Sequence, residues 1–162
     1  MEITIITTGG TIDKDYPRSA KSYCFEIKEP AAKKILSVVN PAFEYKIISI
    51  LKKDSLDIID LDRKKIFNVC KKCKNSKILI THGTDTIIET AKVLSQIKNK
   101  TIVLVGAGLP YKFLDSDAAF NVGVAIGALN VLGSGIFIAM SGRVYHWNKC
   151  KKDPKTGKFI EI

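Results

Sequence analysis

The chain has 162 residues, of which 46% are hydrophobic and 26% charged, and its formal net charge is +10. This size and composition are typical of one soluble globular domain, and no apolar stretch approaches the roughly 18–20 residues that cross a bilayer. The positive charge comes almost entirely from lysine, and no nucleic-acid-binding motif accompanies it, so we expect neither a nucleic-acid partner nor a membrane. The amino terminus lacks the basic and apolar regions of a signal peptide, so we expect a cytoplasmic location.

Predicted strands and helices alternate along the chain. The predicted strands are residues 2–8, 43–51, 77–81, 101–105 and 135–140. The predicted helices span 31–39, from 60 or 62 to about 73, from 85 to about 97, and from 116 or 117 to about 132. We expect a long loop over 9–28 and a basic tail over the last twenty residues. Such alternation predicts parallel strands joined by right-handed crossovers, and therefore a single doubly wound, flavodoxin-like α/β domain spanning residues 1–162.

Cys70 and Cys73 have the spacing of a redox or metal half-site. A structural zinc needs four ligands, and the sequence has no second Cys-x-x-Cys pair. A redox pair usually lies at a helix N-terminus, whereas this pair falls at the end of a predicted helix. We therefore expect reduced thiols and no metal site.

Two threonine motifs stand where predicted strands end. They are TTGGTID at Thr7–Asp13 and THGTDT at Thr81–Thr86, and each directly follows a short β-branched run. Ligands of open α/β sheets bind at the carboxyl ends of the strands, where the strand order reverses. The two motifs therefore predict one site built from two distant parts of the chain.

The first motif places two hydroxyl groups around a pair of glycines. Gly9 and Gly10 tolerate positive φ and let a backbone N–H approach a ligand closely, which would form a cradle for an oxyanion or a carboxylate. An ordinary strand-to-loop turn supported by Thr8 and Thr11 explains the same residues. The motif matches neither of the common glycine-rich nucleotide loops.

The second motif sets the hydroxyl of Thr84 beside the carboxylate of Asp85. Such a pair can bind an amine or take part in a proton relay. The alternative is that Thr84 or Asp85 caps the following helix, and both interpretations can hold together. His82 is adjacent, but a lone histidine at a strand end is more often packed than catalytic.

Together, TGGTI and HGTDTIIETA resemble the two threonine signatures of the bacterial-type L-asparaginase family. The resemblance extends along the chain in order. Tyr23 falls where the family has a tyrosine on a mobile lid, and Ser55 falls on a serine that touches the substrate's α-carboxylate. The segments VGAGLP at 105–110 and DAAFN at 117–121 resemble the family's TGAMRP and DGPxN.

The resemblance implies a role for each matched residue. Thr11 would be the nucleophile that attacks a side-chain amide, assisted by Tyr23. Thr84 would serve the relay or oxyanion function, and Asp85 would pair with the substrate's α-amine. Ser55 and backbone groups, at Gly10 and Gly83, would hold the α-carboxylate. The resemblance implies no metal and no organic cofactor.

Three departures from the family pattern matter. The family has a lysine a few residues after a Gly-Arg pair, and its gapless counterpart is Trp147, so we take Lys149, two residues later, as the candidate catalytic lysine. Leu56 stands where a glutamine usually follows the serine. We also expect the family's smaller C-terminal domain, which completes a neighbouring subunit's pocket, to be absent.

The leading interpretation is an amidohydrolase that releases ammonia from L-asparagine or a related small amide. One alternative is a module that binds an amino acid without turning it over. Another is an amidase-like subunit completed by a partner chain, as in the archaeal glutamyl-tRNA amidotransferase that the family resembles. A homo-oligomer, a dimer or tetramer, is expected because the family builds its sites across subunit contacts and because the 122–132 helix is rich in glycine and alanine.

Overall fold

The centre of the molecule is a mostly parallel β-sheet. A computed structural model describes residues 2–17 and 25–162. The strands within these residues are β1 (Glu2–Gly9), β2 (Lys14–Asp15), β3 (Glu26–Ile27), β4 (Glu44–Lys53), β5 (Lys77–Thr81), β6 (Thr101–Val105), β7 (Gly135–Met140), β8 (Arg143–His146), β9 (Cys150–Lys152) and β10 (Phe159–Glu161). The helices are α1 (Ala31–Val39), α2 (Asp60–Lys72), α3 (Ile87–Leu94) and α4 (Ala118–Val131).

The strand order of the main sheet is β4-β1-β5-β6-β7-β8. The first five strands are parallel, and β8 is antiparallel to β7. The chain moves from β1 to one side, at β4, and then crosses to the other side, at β5. The order therefore reverses between β1 and β5, which confirms the doubly wound, flavodoxin-like prediction. The register pairs Thr7 of β1 with Thr81 of β5, so the two threonine motifs leave the sheet side by side at this reversal.

Each face of the sheet carries two helices. Alternate residues of a strand point to opposite faces, so Ile5 packs in the cluster with α1 and α4, whereas Ile6 packs in the cluster with α2 and α3. Ile78, Leu79 and Ile80 of β5 are fully buried, as expected of a parallel strand covered on both sides. No helix of the described residues is long and apolar enough to span a membrane.

Two stretches contain more structure than the sequence predicts. The 9–28 loop includes a 3-10 helix at Thr11–Asp13 and the antiparallel pair β2 and β3. The basic tail is wrong as a description of the carboxyl end, because β8, β9 and β10 form there. Tyr145, Cys150 and Phe159 are buried against the α2 and α3 side of the core. These buried residues are separated by lysines in the sequence, so the segment has the composition of an exposed tail although part of it packs on the core.

Candidate functional site

The two threonine loops touch through a pair of glycines. A Cβ atom on Gly10 would lie 2.6 Å from the Cα of Gly83, which leaves room for no side chain there. Gly10 also has a φ of 85°, a conformation that favours glycine. Thr11 follows the first glycine and Thr84 follows the second. The predicted joining of the two motifs into one region is therefore present in the fold.

A third loop, which follows β4, supports the second threonine loop from beneath. A Cβ atom on Gly83 would lie 2.7 Å from Oγ of Ser55. The Asp85 amide donates to that Oγ at 3.3 Å, and the Thr86 hydroxyl donates to the Ser55 carbonyl at 2.7 Å. Ser55 is only 1% exposed. A hydroxyl that accepts one hydrogen bond still has its own proton to donate, and within residues 2–17 and 25–162 the Ser55 hydroxyl has no acceptor.

Thr84 and Asp85 share one amino group, that of Lys152. The Nζ of Lys152 donates to Oγ1 of Thr84 at 2.9 Å and to Oδ1 of Asp85 at 2.5 Å. The Lys152 side chain is 27% exposed and that of Asp85 is 47% exposed, so the cluster reaches solvent. On the other side, a Cβ on Gly106 would lie 2.9 Å from the Thr84 methyl carbon, so the loop after β6 closes against Thr84.

The lysine at Thr84 is Lys152, three residues beyond Lys149, the residue that the sequence pattern favours. Lys149 ends a 3-10 helix at Trp147–Lys149 and is exposed, while its carbonyl accepts from the Ile162 amide at 3.2 Å. The chain then enters β9, which carries Lys152 back toward the strand ends. The residue spacing from the Gly-Arg pair does not identify Lys152, because the 3-10 helix at Trp147–Lys149 lies between the pair and β9 and determines where β9 begins.

Neither Thr84 nor Asp85 caps a helix. The predicted helix start at residue 85 is wrong by two residues: α3 begins at Ile87 and Thr86 holds the N-cap position. No side chain makes a capping hydrogen bond at Thr86, whose hydroxyl instead bonds to Ser55. Thr84 and Asp85 thus project from a turn before the helix and are available for chemistry.

His82 lies beneath the turn and is fully buried. Its Nδ1 is 2.8 Å from the Gly83 carbonyl oxygen, and its Nε2 is 2.8 Å from the Thr90 hydroxyl. The carbonyl can only accept, so Nδ1 carries the proton and donates to it. Burial lowers the pKa of His82 to about 4. An imidazole that is neutral and hydrogen-bonded at both nitrogens supports the turn rather than acting as a general base.

The loop after β6 is fixed by Asp117 and Asn121. The Asp117 carboxylate accepts from the amides of Gly108 and Leu109 at 2.9 and 3.0 Å, and from Asn121 Nδ2 at 2.8 Å. Asn121 Nδ2 also donates to the Gly106 carbonyl at 3.1 Å. The sequence predicts Ser116 or Asp117 as the cap of α4; Asp117 does hold the N-cap position, but its carboxylate bonds to this loop and makes no capping hydrogen bond. Sequence reasoning assigns the pair no role in the site, although both residues lie in the DAAFN segment.

Of the remaining predicted catalytic residues, the structure describes Thr11 but not Tyr23. Thr11 is half-buried at the start of the 3-10 helix, and no residue among 2–17 and 25–162 makes a hydrogen bond to its hydroxyl. Tyr23 lies outside the described residues. Within those residues, no group of three or more His, Cys, Asp or Glu side chains is arranged to hold a metal ion.

The region therefore combines a hydroxyl on one loop, a hydroxyl and a carboxylate on a second loop, and an amine from the end of β9. An amine bonded to a hydroxyl can stabilise negative charge on oxygen or help to move its proton. The Oδ1 atom of Asp85 is occupied by Lys152, which leaves Oδ2 for a second cation. The arrangement suits an activated hydroxyl acting on a small polar substrate.

Comparisons with known proteins identify the family of this chain. The family model described as Asparaginase, N-terminal matches residues 2–157. The chain is 29% identical over 155 residues to the glutaminase-asparaginase of Acinetobacter glutaminasificans, covering 88% of this chain and 47% of that protein. It is 36% identical over 134 residues to a subunit of the glutamyl-tRNA(Gln) amidotransferase of Pyrococcus abyssi, covering 75% of this chain and 29% of that protein.

The fold is also shared with solved structures. The thermostable L-asparaginase from Thermococcus kodakarensis superposes with a TM-score of 0.85 at 26% sequence identity, covering 100% of this chain and 51% of that one. The chain spans at most about half the length of these relatives. Because the family model covers nearly all of it, the chain belongs to the asparaginase family and corresponds to the family's N-terminal domain.

Proposed function

We propose that this chain hydrolyses the side-chain amide of L-asparagine or a related small amide, releasing ammonia, with Thr11 as the nucleophile. The observation that carries the proposal is the contact of Lys152 with both Thr84 and Asp85, one residue from the place where Gly83 meets Gly10. This contact sets an amine-bonded hydroxyl beside the loop that bears Thr11. Family membership supports the same chemistry.

In the first half of the reaction, Thr11 Oγ1 bonds to the amide carbon and the carbonyl oxygen takes up negative charge. The C–N bond then breaks, and the proton lost by the Thr11 hydroxyl ends on the leaving nitrogen, which departs as ammonia. The Thr84 hydroxyl, held by Lys152 at 2.9 Å, is the group proposed to pass that proton. Tyr23 is proposed to assist at Thr11.

In the second half, water attacks the ester that joins the substrate acyl group to Thr11. One proton of the water returns to Oγ1 of Thr11, and its oxygen becomes part of the acid product. The same hydroxyl and amine serve in this step, since the transition state again places negative charge on the carbonyl oxygen.

Substrate binding is proposed to use the parts of the turn that remain available. The Oδ2 atom of Asp85 would pair with the substrate's α-amine, because Oδ1 is taken by Lys152. The hydroxyl of Ser55 and the backbone amides near Gly10 and Gly83 would hold the α-carboxylate.

The test is release of ammonia from L-asparagine, L-glutamine and propionamide. We expect Thr11→Ala and Thr84→Ala to lower kcat for the best amide by about 10³-fold or more, because each removes a group that acts on the reacting atoms. Thr156→Ala removes an exposed threonine whose hydroxyl bonds to Asp153, and we expect it to change kcat by less than about twofold. Equal rates in the wild type and all three variants would refute the proposal.

A second candidate is an amidase-like subunit that needs a separate chain. It is favoured by the 36% identity, over 134 residues, to a subunit of a glutamyl-tRNA(Gln) amidotransferase. In that case the isolated chain would release no ammonia, and activity would appear when a copurifying polypeptide is added back. A binding module without turnover would instead retain amino-acid affinity in Thr11→Ala and show no activity in either form.

Self-association is proposed through the outer face of α4. Phe120 and Val131 are 61% and 82% exposed, and the space around Gly123 and Gly127 is open in the described structure. The helix carries no charged residue, although the chain has a net charge of +10. Two copies that met along this helix would place no charged residue of one α4 against the other. Sedimentation velocity on wild type and Gly127→Lys tests this, and an unchanged oligomer would exclude the face.

A further inference from the structure

A second cavity lies behind the loop that carries Thr11. Its volume is about 330 Å³, and neither Thr11 nor Thr84 lines it. It is formed by the 3-10 helix at Thr11–Asp13, the start of α1, the β2–β3 pair and the loop after β6. The lining includes Ile12, Asp13, Glu29, Lys34, Tyr111 and Lys112. Small-molecule sites begin at roughly 300 Å³, so the cavity fits a ligand of a few heavy atoms.

The inner wall of this cavity is apolar and rigid. Ile12 is 1% exposed and Ala31 is 4% exposed, while Tyr111 contributes a half-buried ring. The Asp13 carboxylate belongs to the framework, because its Oδ1 accepts from the Ala31 amide at 2.7 Å at the start of α1. A short aliphatic side chain is the natural partner of such a wall.

Most charges at the mouth are already neutralised. The lining lysines Lys14, Lys28 and Lys112 form ion pairs with Asp54, Glu26 and Asp15 at 2.6, 3.4 and 3.3 Å. Three charged lining residues form no salt bridge with any residue in the described ranges 2–17 and 25–162: Asp13, Glu29 and Lys34. The Asp13 carboxylate already accepts the Ala31 amide, so Glu29 and Lys34 are the pair that can meet a ligand. One carboxylate and one ammonium thus face an apolar wall.

We infer that this cavity binds a small zwitterion with an aliphatic side chain, an amino acid in its chemistry. Its ammonium would pair with Glu29 and its carboxylate with Lys34, while the side chain covers Ile12, Ala31 and Tyr111. A ligand with one charge satisfies only one of the two groups. A divalent anion would be opposed by Glu29, and a dication by Lys34.

A ligand in the cavity would change the mobility of Thr11 and therefore the rate of amide turnover; this consequence rests on the proposed function. Ile12 and Asp13 share the 3-10 helix with Thr11. The Tyr111 amide donates to the Ile12 carbonyl at 3.2 Å, and the Lys28 amide donates to the Asp13 carbonyl at 3.1 Å. A ligand held between Ile12 and Tyr111 therefore stiffens the segment that presents the Thr11 hydroxyl. Amide turnover would depend on ligand concentration as a result.

The test is calorimetric binding of L-norvaline, with pentanoate and butylamine as ligands that each lack one of its two charges. We expect Lys34→Ala and Glu29→Gln each to weaken norvaline binding by about tenfold or more, because each removes a charge-assisted contact. Pentanoate and butylamine should bind more weakly than norvaline by a similar factor. Lys33→Ala is the matched control, since Lys33 is exposed on the same helix but does not line the cavity, and it should leave affinity unchanged.

Asp85→Ala separates this cavity from the threonine site. The inference predicts that norvaline affinity survives Asp85→Ala and falls in Lys34→Ala. It is overturned if norvaline does not bind, if Lys33→Ala weakens binding as much as Lys34→Ala does, or if affinity is lost in Asp85→Ala and kept in Lys34→Ala. Binding is measured without turnover, so an inactive protein with an intact norvaline site would reject only the proposed function.

Discussion

The two threonine loops meet at one glycine contact, but their hydroxyl groups are held in different ways. Thr84 is bonded to Lys152, and its turn is anchored through Ser55 and His82. The Thr11 hydroxyl has no hydrogen-bond partner within residues 2–17 and 25–162. The difference matches the division of work that we propose. A group that relays protons must be fixed in advance, whereas a nucleophile must be free to bond to the substrate.

The largest effect is expected at Lys152, the β9 residue that holds the second threonine loop. Lys152→Met removes the amine that holds Thr84, and we expect kcat for amide hydrolysis to fall by about 10²–10³-fold. Lys149→Met is the matched control, since Lys149 is exposed on the preceding 3-10 helix. Its kcat should stay within about twofold of wild type. Steady-state kinetics on the two variants provides the comparison.

The opposite kinetic result would assign the catalytic lysine to Lys149. If Lys149→Met lowered kcat and Lys152→Met did not, the residue favoured by the sequence pattern would be the functional one. The contact seen at Thr84 would then be incidental. A fall in both variants would indicate that the carboxyl-terminal strands act as a unit.

The contact between the loops can be broken at Gly10. Gly10→Ala places a methyl group against the Gly83 backbone and forces a positive φ on an L-residue, so we expect a loss of about 3 kcal/mol or more in the free energy of unfolding. Gly133→Ala is the control, because Gly133 lies in a loop with open space around it and without a positive φ, and alanine should change the free energy of unfolding there by less than about 1 kcal/mol. Urea denaturation followed by circular dichroism measures both. Equal effects of the two substitutions would mean that the loops are not in contact.

The two threonine loops are also expected to affect the pH dependence of stability differently, through Asp13 on the first loop and His82 on the second. Burial raises the pKa of Asp13, on the first loop, to about 6 from 3.8, although the Ala31 amide and Lys52 oppose the rise. Between these two values the folded state binds more protons than the unfolded state, so Asp13 makes the protein less stable as the pH rises from 4 to 6. Asp13→Asn keeps an oxygen for the Ala31 amide and cannot ionise. It should therefore be more stable than wild type by about 1–3 kcal/mol above pH 6 and nearly equal below pH 4.

On the second loop, His82 makes the protein more stable as the pH rises, which is the opposite of the effect of Asp13. His82 has its pKa lowered from 6.5 to about 4 by burial, so its contribution is complete above pH 6.5 and is lost as the pH falls toward 4. Subtracting the stability of wild type from that of Asp13→Asn at each pH cancels the His82 contribution. A difference that does not vary between pH 4 and 7 would show that Asp13 is not buried as a carboxyl group.

The sequence predicts the scaffold and the second threonine loop well, for physical reasons. Buried parallel strands are short runs of β-branched residues, so β5 and β6 can be recognised directly from KILIT and TIVLV. The alternation of these runs with helices predicts parallel strands, whose carboxyl ends all lie at the same edge of the sheet. Two motifs that both end strands must then lie at one edge. Their neighbourhood follows from topology, without any knowledge of side-chain contacts.

The partner of Thr84 could not be predicted in the same way. Lys152 reaches its position because Tyr145 and Cys150 anchor the carboxyl-terminal strands on the core, and a 3-10 turn lies between them. In the sequence this stretch is rich in lysine and has the composition of a tail. The start of α3 is misplaced for a related reason. Thr84, Asp85 and Thr86 are all acceptable caps, and only the contact between Thr86 and Ser55 decides among them.

The most direct test of the shared site is a crystal structure of the Thr11→Val variant soaked with L-asparagine. We expect the ligand's amine to contact Asp85 while its side-chain amide lies within about 4 Å of both residue 11 and the Thr84 hydroxyl. A ligand bound against only one of the two loops, with its amide remote from the other, would contradict the claim that they form a single site.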